Sequence, residues 1–371
     1  YENVWIYEGG EGRFRAYLGS RSREFEFEEA ESLKHNLADL KMKDGKLSEV
    51  AVKDERIHGK VLAVTDTYIE LEGLGRMELA PGFRVYRLYG EFQLLDLKDI
   101  LVGYDLQEFA VSDGKLCAAL VEREFDAKTI RVLLMNSDFS SCFHERADLT
   151  IRGGAQVEYE NRDGEVLIEE ISDGAKLSIT PEDGRLEYGS MVIRPVQEEA
   201  IAITTIERAQ GTPVYGGSLE IRREEEGLVL VNDLYLEDYL KKVVPSEMPP
   251  SYEMEALKAQ AVCARTYAYR QIQGNAYSQY GAHVDDSTNY QVYNNTASDP
   301  RTDEAVLATY GQMLFWDGEA IEAFYFSTSC GHTTDGSVWG AAGAALPYLQ
   351  AVEVRERRET LDLEDNDAFD A

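Results

Sequence analysis

Several things are scarce in this 371-residue chain, and each scarcity removes a class of function. Cysteine occurs only at positions 117, 142, 263 and 330, with no CxxC pair, so a zinc ribbon and a thioredoxin-type redox motif are absent. No apolar run approaches the roughly 20 residues a membrane-spanning helix needs, and no signal-type start is present. Basic residues are few: 37 Lys and Arg stand against 69 Asp and Glu, for a net charge of −32. So acidic a surface repels polyanions, which excludes nucleic acid and an anionic membrane face as partners and leaves solubility as the plain role of the charge. Of five histidines, His35, His58 and His144 are isolated and read as surface or satisfied core residues rather than ligands.

What is present is a folded protein. The hydrophobic share is 44%, with three Trp, 13 Phe and 22 Tyr, and at about 150 residues per domain the length predicts two or three domains. Tyr1 is not a natural initiator, so the chain is expected to be a processed or truncated form, with membrane contact only through a removed N-terminal anchor.

Residues 1–204 read mainly as short strands separated by Gly, Asp and Asn turns. KVLAVTDTYIELEG predicts a hairpin about Asp66, continued as a meander by GRMELAPGFRVY. One helix is predicted at SLKHNLADLKM, where Leu33, Leu37 and Leu40 recur at spacings of four and three. The expected fold is α+β: β-rich barrel-like or sandwich-like domains over 1–127 and 128–204, then an α+β domain over 205–355 with a central buried helix, then a charged tail over 356–371.

From Ser218 the pattern changes. SLEIRR and GLVLVND predict two strands joined across Glu224–Gly227. The helix LEDYLKKVV follows, with Glu237 and Asp238 in its first turn, and is expected to stop at Pro245. A second helix is expected with Ser251 as N-cap and Gly274 after its last residue. Leu257, Ala261, Ala264, Ala268 and Ile272 make one apolar stripe along it, and small neighbours allow close packing, so it belongs at the centre of its domain. Beyond it come a polar stretch, YGAHVDDSTNYQVYNN, a helix over about 300–309, and a hairpin turning at Asp317-Gly318.

Chemistry concentrates between the two helices. Glu247 lies in the stretch Val244-Pro-Ser-Glu-Met-Pro-Pro250, where prolines stiffen the backbone as a preorganised catalytic group requires; a plain helix-dipole contact is the alternative reading. Lys258 and Arg265 are two helical turns apart on one face, either lining a cleft or forming a solvated flank. Tyr290, Gln291, Ser327, Thr328, Ser329 and His332 offer the hydroxyls, amides and rings that a sugar groove uses, or else close ordinary loops.

The run LVLVNDLYLEDYLKKVVPSEMPPSYEMEALKAQAVCARTYAYR, with DDSTNYQVYNN, AVLATYGQMLFWDG, FYFSTSCGHTTD, VWG and LPYL in order, resembles the SpoIID/LytB family over about 140 residues. The resemblance implies a lytic transglycosylase that cuts peptidoglycan between N-acetylmuramic acid and N-acetylglucosamine on peptide-stripped strands. It places the catalytic residue on Glu247, and implicates Lys258 and Arg265, which are expected to contact N-acetyl or lactyl oxygens.

The alternative the family name carries is a non-catalytic enhancer that binds glycan beside a cell-wall amidase; muramidase hydrolysis is a third reading. Either way the setting is extracytoplasmic. Some relatives hold zinc after the second helix, but with no Cys between 264 and 329 and His283 alone there, neither metal nor cofactor is expected. A Cys263–Cys330 disulfide is expected instead, in keeping with an oxidising exterior.

Overall fold

The computed structural model of the chain describes residues 1–197, 200–327, 329, 331–340 and 346–354. It divides into two units, Tyr1–Met313 and Leu314–Ala371.

The first unit begins with a five-stranded antiparallel sheet in the order Arg21–Glu26, Arg13–Leu18, Val4–Gly10, Asn36–Lys43, Lys46–Lys53. The segment predicted as a helix is here a strand. Only Ala30–Leu33 forms a single 3₁₀ turn, and Asn36–Lys43 pairs on both sides. The leucine spacing that imitates a helix arises because this strand is buried on both faces. Leu37 packs with Trp5 and Tyr86 on one side, and Ala38 and Leu40 pack with Val4, Ile6 and Phe14 on the other.

A second sheet runs Glu55–Ile57, Gln107–Ser112, Lys115–Val121, Gly75–Arg87, Tyr68–Leu71, Val61–Val64. Its Val61–Val64 and Tyr68–Leu71 hairpin about Asp66, and the long strand after it, follow the predicted meander. The expected β-rich N-terminal region is thus present, and of the barrel-like or sandwich-like forms expected no closed barrel occurs among the described residues.

The third sheet positions the site. Its order is Val166–Ile171, Ala155–Glu160, Met191–Pro195, Ser218–Glu224, Gly227–Tyr235, Thr129–Leu133, Val284–Asp285. Residue 205, where a domain boundary was expected, thus falls between strands of one sheet. A four-stranded sheet, Lys176–Ile179, Ala147–Ile151, Ile201–Ile203, Val214–Tyr215, shares a core with it.

Against that core lie α1 (Leu236–Glu247), α2 (Met254–Gly274) and α3 (Pro300–Ala308). α1 leaves directly from the end of Gly227–Tyr235 and buries Leu236, Tyr239, Leu240, Val243 and Val244. α2 buries the whole expected stripe, Leu257, Ala261, Ala264, Ala268 and Ile272, each with no exposed surface. Both of its ends differ from expectation: Glu253 holds the N-cap position without a side-chain bond, and Gly274 is the last helical residue. Asn275 takes the left-handed turn (φ 50°), and its amide donates to the carbonyls of Lys98 (3.2 Å) and Ile100 (2.8 Å), so the helix end is tied to the second sheet's loops.

Those two sheets also meet through a chain of alternating charges. Lys60 pairs with Asp233 (2.5 Å) and Asp233 with Arg131 (2.9 Å); Arg131 continues to Glu220 (2.6 Å), Glu220 to Arg222 (2.6 Å), Arg222 to Glu70 (3.3 Å), and Glu70 to Arg76 (3.1 Å). Arg131, Glu220, Arg222 and Glu70 are buried, which is tolerable only because each faces an opposite charge.

In the second unit, Phe315–Trp316 and Glu319–Ala320 form the expected hairpin. Asp317 (φ 51°) and Gly318 (φ 84°) take the two left-handed positions of a type I′ turn. His332 bridges Glu353 through the backbone, and Phe324 stacks on Trp339 with ring centroids 4.7 Å apart.

Candidate active site around Glu247

Pro245 does not end α1. A proline removes one N–H and crowds the carbonyl four residues back, but this one sits in the last turn, where Met248 N still donates to Val244 O (2.9 Å). Glu247 is therefore the last residue of the helix rather than part of the loop that follows. Its carboxylate is half-buried, and Oε1 accepts a hydrogen bond from Val292 N at 2.8 Å.

Ser246 works beside it. Its hydroxyl donates to Lys242 O (2.7 Å) and accepts from Asn295 N (3.2 Å) and Thr296 N (3.1 Å). Two successive side chains at the end of α1 thus serve as acceptors for the backbone of residues 292–296. The sequence reading missed Ser246, and its one signal was a hydroxyl adjacent to the candidate acid.

Gln291, expected along a groove, is 1% exposed. Its amide donates to Ala264 O (3.2 Å), and its Oε1 accepts from the Tyr239 hydroxyl (3.3 Å), so it bridges α1 and α2 from inside. Tyr290 is half-buried with its ring 5.8 Å from that of Tyr277, and burial pushes its phenol up. The segment carrying these residues brings Gln291 and Val292 together with the end of α1.

The two cations differ sharply. Lys258 remains partly exposed and pairs with Glu255 at 2.7 Å, one turn earlier. Arg265 is 1% exposed. Its Nε and Nη2 donate to the two carboxylate oxygens of Glu237, each at 2.7 Å, while Nη1 reaches Gln312 O (3.1 Å) and Nη2 reaches Val306 O (3.2 Å). The guanidinium clamps the first turn of α1 to the end of α3.

A cleft of about 780 Å³ opens beside that clamp, lined by Phe125, Tyr235, Glu237, Tyr269 and Tyr310 among others. Glu247 is not among its lining residues: from Glu237, ten residues of helix place it about 15 Å further along α1.

Ser327, Ser329 and His332 belong to the second unit. Ser327, Ser329 and His332 are exposed there, and the Ser329 hydroxyl accepts from Gly331 N (3.4 Å). Thr328 and Cys330 lie outside the described residues. Cys263 is a partly buried thiol whose pKa burial pushes up, and the disulfide expected between it and Cys330 lies outside the described residues.

His283 is a core residue. Nδ1 accepts from Arg131 N (3.0 Å) and Nε2 donates to Val102 O (2.9 Å), so both ring nitrogens are already engaged. Burial lowers its pKa to about 4. No cluster of three or more metal-ligating side chains occurs among the described residues. His144 is likewise buried, with Nε2 donating to Leu134 O (2.8 Å), and His58 lies at the surface beside Glu108 (3.0 Å).

Comparison with known proteins adds three relatives and one family. Residues 224–316 match the model of the SpoIID family, described as stage II sporulation protein. An uncharacterised protein of Brachyspira hyodysenteriae is 44% identical over 139 residues, 37% of each chain. Stage II sporulation protein D of Bacillus subtilis is 32% identical over 173 residues, 43% of this chain and 50% of the relative. The amidase enhancer of Bacillus subtilis is 41% identical over 113 residues, 30% of this chain and 14% of the relative. The matched stretch thus spans half or less of each curated relative.

Proposed function

We propose, because residues 224–316 belong to the SpoIID family, that the chain is an extracytoplasmic lytic transglycosylase acting on peptide-stripped peptidoglycan strands, with Glu247 as its acid and base. The observation that carries the reading is the half-buried carboxyl at the end of α1, oriented by Val292 N.

In the reaction, the Glu247 carboxyl protonates the oxygen joining C1 of N-acetylmuramic acid to N-acetylglucosamine, and the C1–O bond breaks as positive charge develops on the ring. The resulting carboxylate takes the proton from the same sugar's C6 hydroxyl, whose oxygen closes on C1. A 1,6-anhydro end forms, no water is consumed, and Glu247 regains its starting state. One carboxyl serves both steps, unlike the carboxylate pair of a hydrolase.

Lys258 is assigned to substrate, because its ammonium is partly exposed and its single ion pair with Glu255 is of the kind that contributes little. Arg265 is assigned to positioning, because its donors face protein acceptors.

Product analysis on purified peptide-free glycan strands tests this. The wild-type protein is expected to release 1,6-anhydro ends, and Glu247→Gln, which preserves an acceptor for Val292 N, is expected to release none. Reducing ends would replace this reading with hydrolysis. Glycan binding without any product would replace it with the role named by the amidase-enhancer relative.

A further inference from the structure

The cleft at the opposite end of α1 has a composition unlike the rest of the chain. Its lining carries three acids, Asp126, Glu237 and Asp238, and three bases, Lys128, Lys241 and Arg265, in a protein with 69 acidic and 37 basic residues. These charges are paired among themselves: Asp126 with Lys128 at 3.1 Å, Asp238 with Lys241 at 2.8 Å, and Glu237 with Arg265 at 2.7 Å. This lining has no net charge with which to attract an ion; a charged ligand would have to break the buried Glu237–Arg265 pair to reach those groups, while the two other pairs are exposed or partly so and contribute little either way.

The same lining carries large rings that the fold leaves exposed. Tyr235 is 66% exposed and Tyr310 is 70% exposed, with Leu307 at 58% between the same walls. Tyr269 packs its ring 5.4 Å from Phe125, which in turn meets Tyr104 edge-on at 5.0 Å, so the inner aromatic surface is fixed by the core. Tyrosine joins an apolar face to a hydroxyl and loses little rotamer freedom on contact. Rigid ring faces beside paired polar groups match a ligand that has apolar faces, many hydroxyls and no charge.

We propose that this cleft is a second saccharide site, apart from the catalytic carboxyl, which holds N-acetylated sugar rings on Tyr235, Tyr269 and Tyr310. Taking the saccharide to be wall glycan rests on the function proposed above, and since each peptide-free muramic ring carries a lactyl carboxylate, the rings held here would be the uncharged N-acetylglucosamine ones; the recognition of an uncharged sugar does not rest on it. A strand gripped there is retained by a surface about 15 Å along α1 from Glu247, so holding and cutting are separate tasks of one helix.

The test uses the full chain carrying Glu247→Gln, methyl-labelled at methionine, titrated with N-acetylchitohexaose. The Met313 methyl signal, which reports from the cleft wall, is expected to shift saturably, with an affinity unchanged between 50 and 500 mM salt. Tyr235→Ala with Tyr310→Ala is expected to weaken that midpoint at least tenfold, and Tyr235→Phe with Tyr310→Phe to preserve it. Both tyrosines are largely exposed, so circular dichroism should match the parent in every variant. A Met313 signal that does not move, or a midpoint that survives the alanine pair, overturns the proposal, as does a midpoint that weakens steeply with salt. Cleavage that persists in Glu247→Gln while these shifts remain intact would remove the catalytic assignment and leave this site standing.

Discussion

Arg265 grips Glu237 through two parallel hydrogen bonds of 2.7 Å each, across 28 residues of sequence, and that grip fixes where α1 begins relative to α2. An exposed ion pair of this kind would contribute little. This one is nearly solvent-free on the arginine side, so loss of one partner leaves the other charge without compensation.

Replacing Arg265 with Ala is therefore expected to cost about 3 kcal/mol or more of stability. Arg265→Lys, which retains the charge and loses the fork, should cost less. Urea denaturation measures both. A variant that unfolds at the parental midpoint yet binds glycan more weakly would move Arg265 from positioning to substrate contact.

Ser246→Ala deprives Asn295 N and Thr296 N of their shared acceptor, and about 1 to 2 kcal/mol of stability should go with it. Because Val292 lies on the same segment, the rate of anhydro-product formation is expected to fall more than substrate affinity does. Comparing kcat with KM for this variant checks the point; a change in KM alone would contradict it.

Two buried groups set how the fold answers to acid. His283 is held neutral, with its pKa lowered from 6.5 to about 4 by burial. The unfolded chain binds its proton first, so stability from this residue is complete above pH 6.5 and drains away as pH falls toward 4, by about 3 kcal/mol in all. Asp286, raised from 3.8 to about 6 by burial, works in the opposite direction over much of that window, so the readout is a difference: between pH 6.5 and 4, His283→Gln should lose less Tm than the parent.

A second window opens lower. Burial would raise the Glu220 carboxyl, but Arg131 and Arg222 outweigh it and bring the pKa down from 4.5 to about 2. Its contribution is present above pH 4.5 and is lost as the pH falls toward 2. Glu220→Gln should start less stable at pH 6, because two arginines lose their counter-charge, and should lose less further stability between pH 4.5 and 2. Equal slopes for the two proteins would sink this account.

How legible all this was from sequence depended on range. Strand pairs joined by short turns, such as Ser218–Glu224 with Gly227–Tyr235, announce themselves through alternation and turn residues. The α2 stripe did so through its spacing. Leu37 and Leu40 misled because a strand buried on both faces has no polar side to mark its period. Pro245 misled because it removes only its own bond to the preceding turn, and the turn after it is still closed by Met248 N to Val244 O.

The site was legible in part. Glu247 could be named as a candidate, but neither its place at a helix end, closed by the Met248 N to Val244 O bond, nor the bond its carboxylate accepts from Val292 N could be. Arg265 was expected to line a cleft and contact substrate, with a solvated flank as the alternative; its ion pair gave no sign in the sequence because its partner Glu237 lies on another helix. The ion chain from Lys60 to Arg76 draws on positions 60 to 233 with no period at all, so only the folded sheets assemble it.

The strand Thr129–Leu133 has a further consequence. It is inserted between Gly227–Tyr235, from which α1 departs, and Val284–Asp285, which leads into the segment that meets Glu247. A recombinant fragment beginning at residue 205 would lack that wedge. Its longest strand would present a raw edge, and the space vacated by Ile130 and Val132 would open beneath the helices. The matched region is thus not a cassette that can be excised and grafted elsewhere: α1 hangs from a sheet whose keystone was laid a hundred residues earlier.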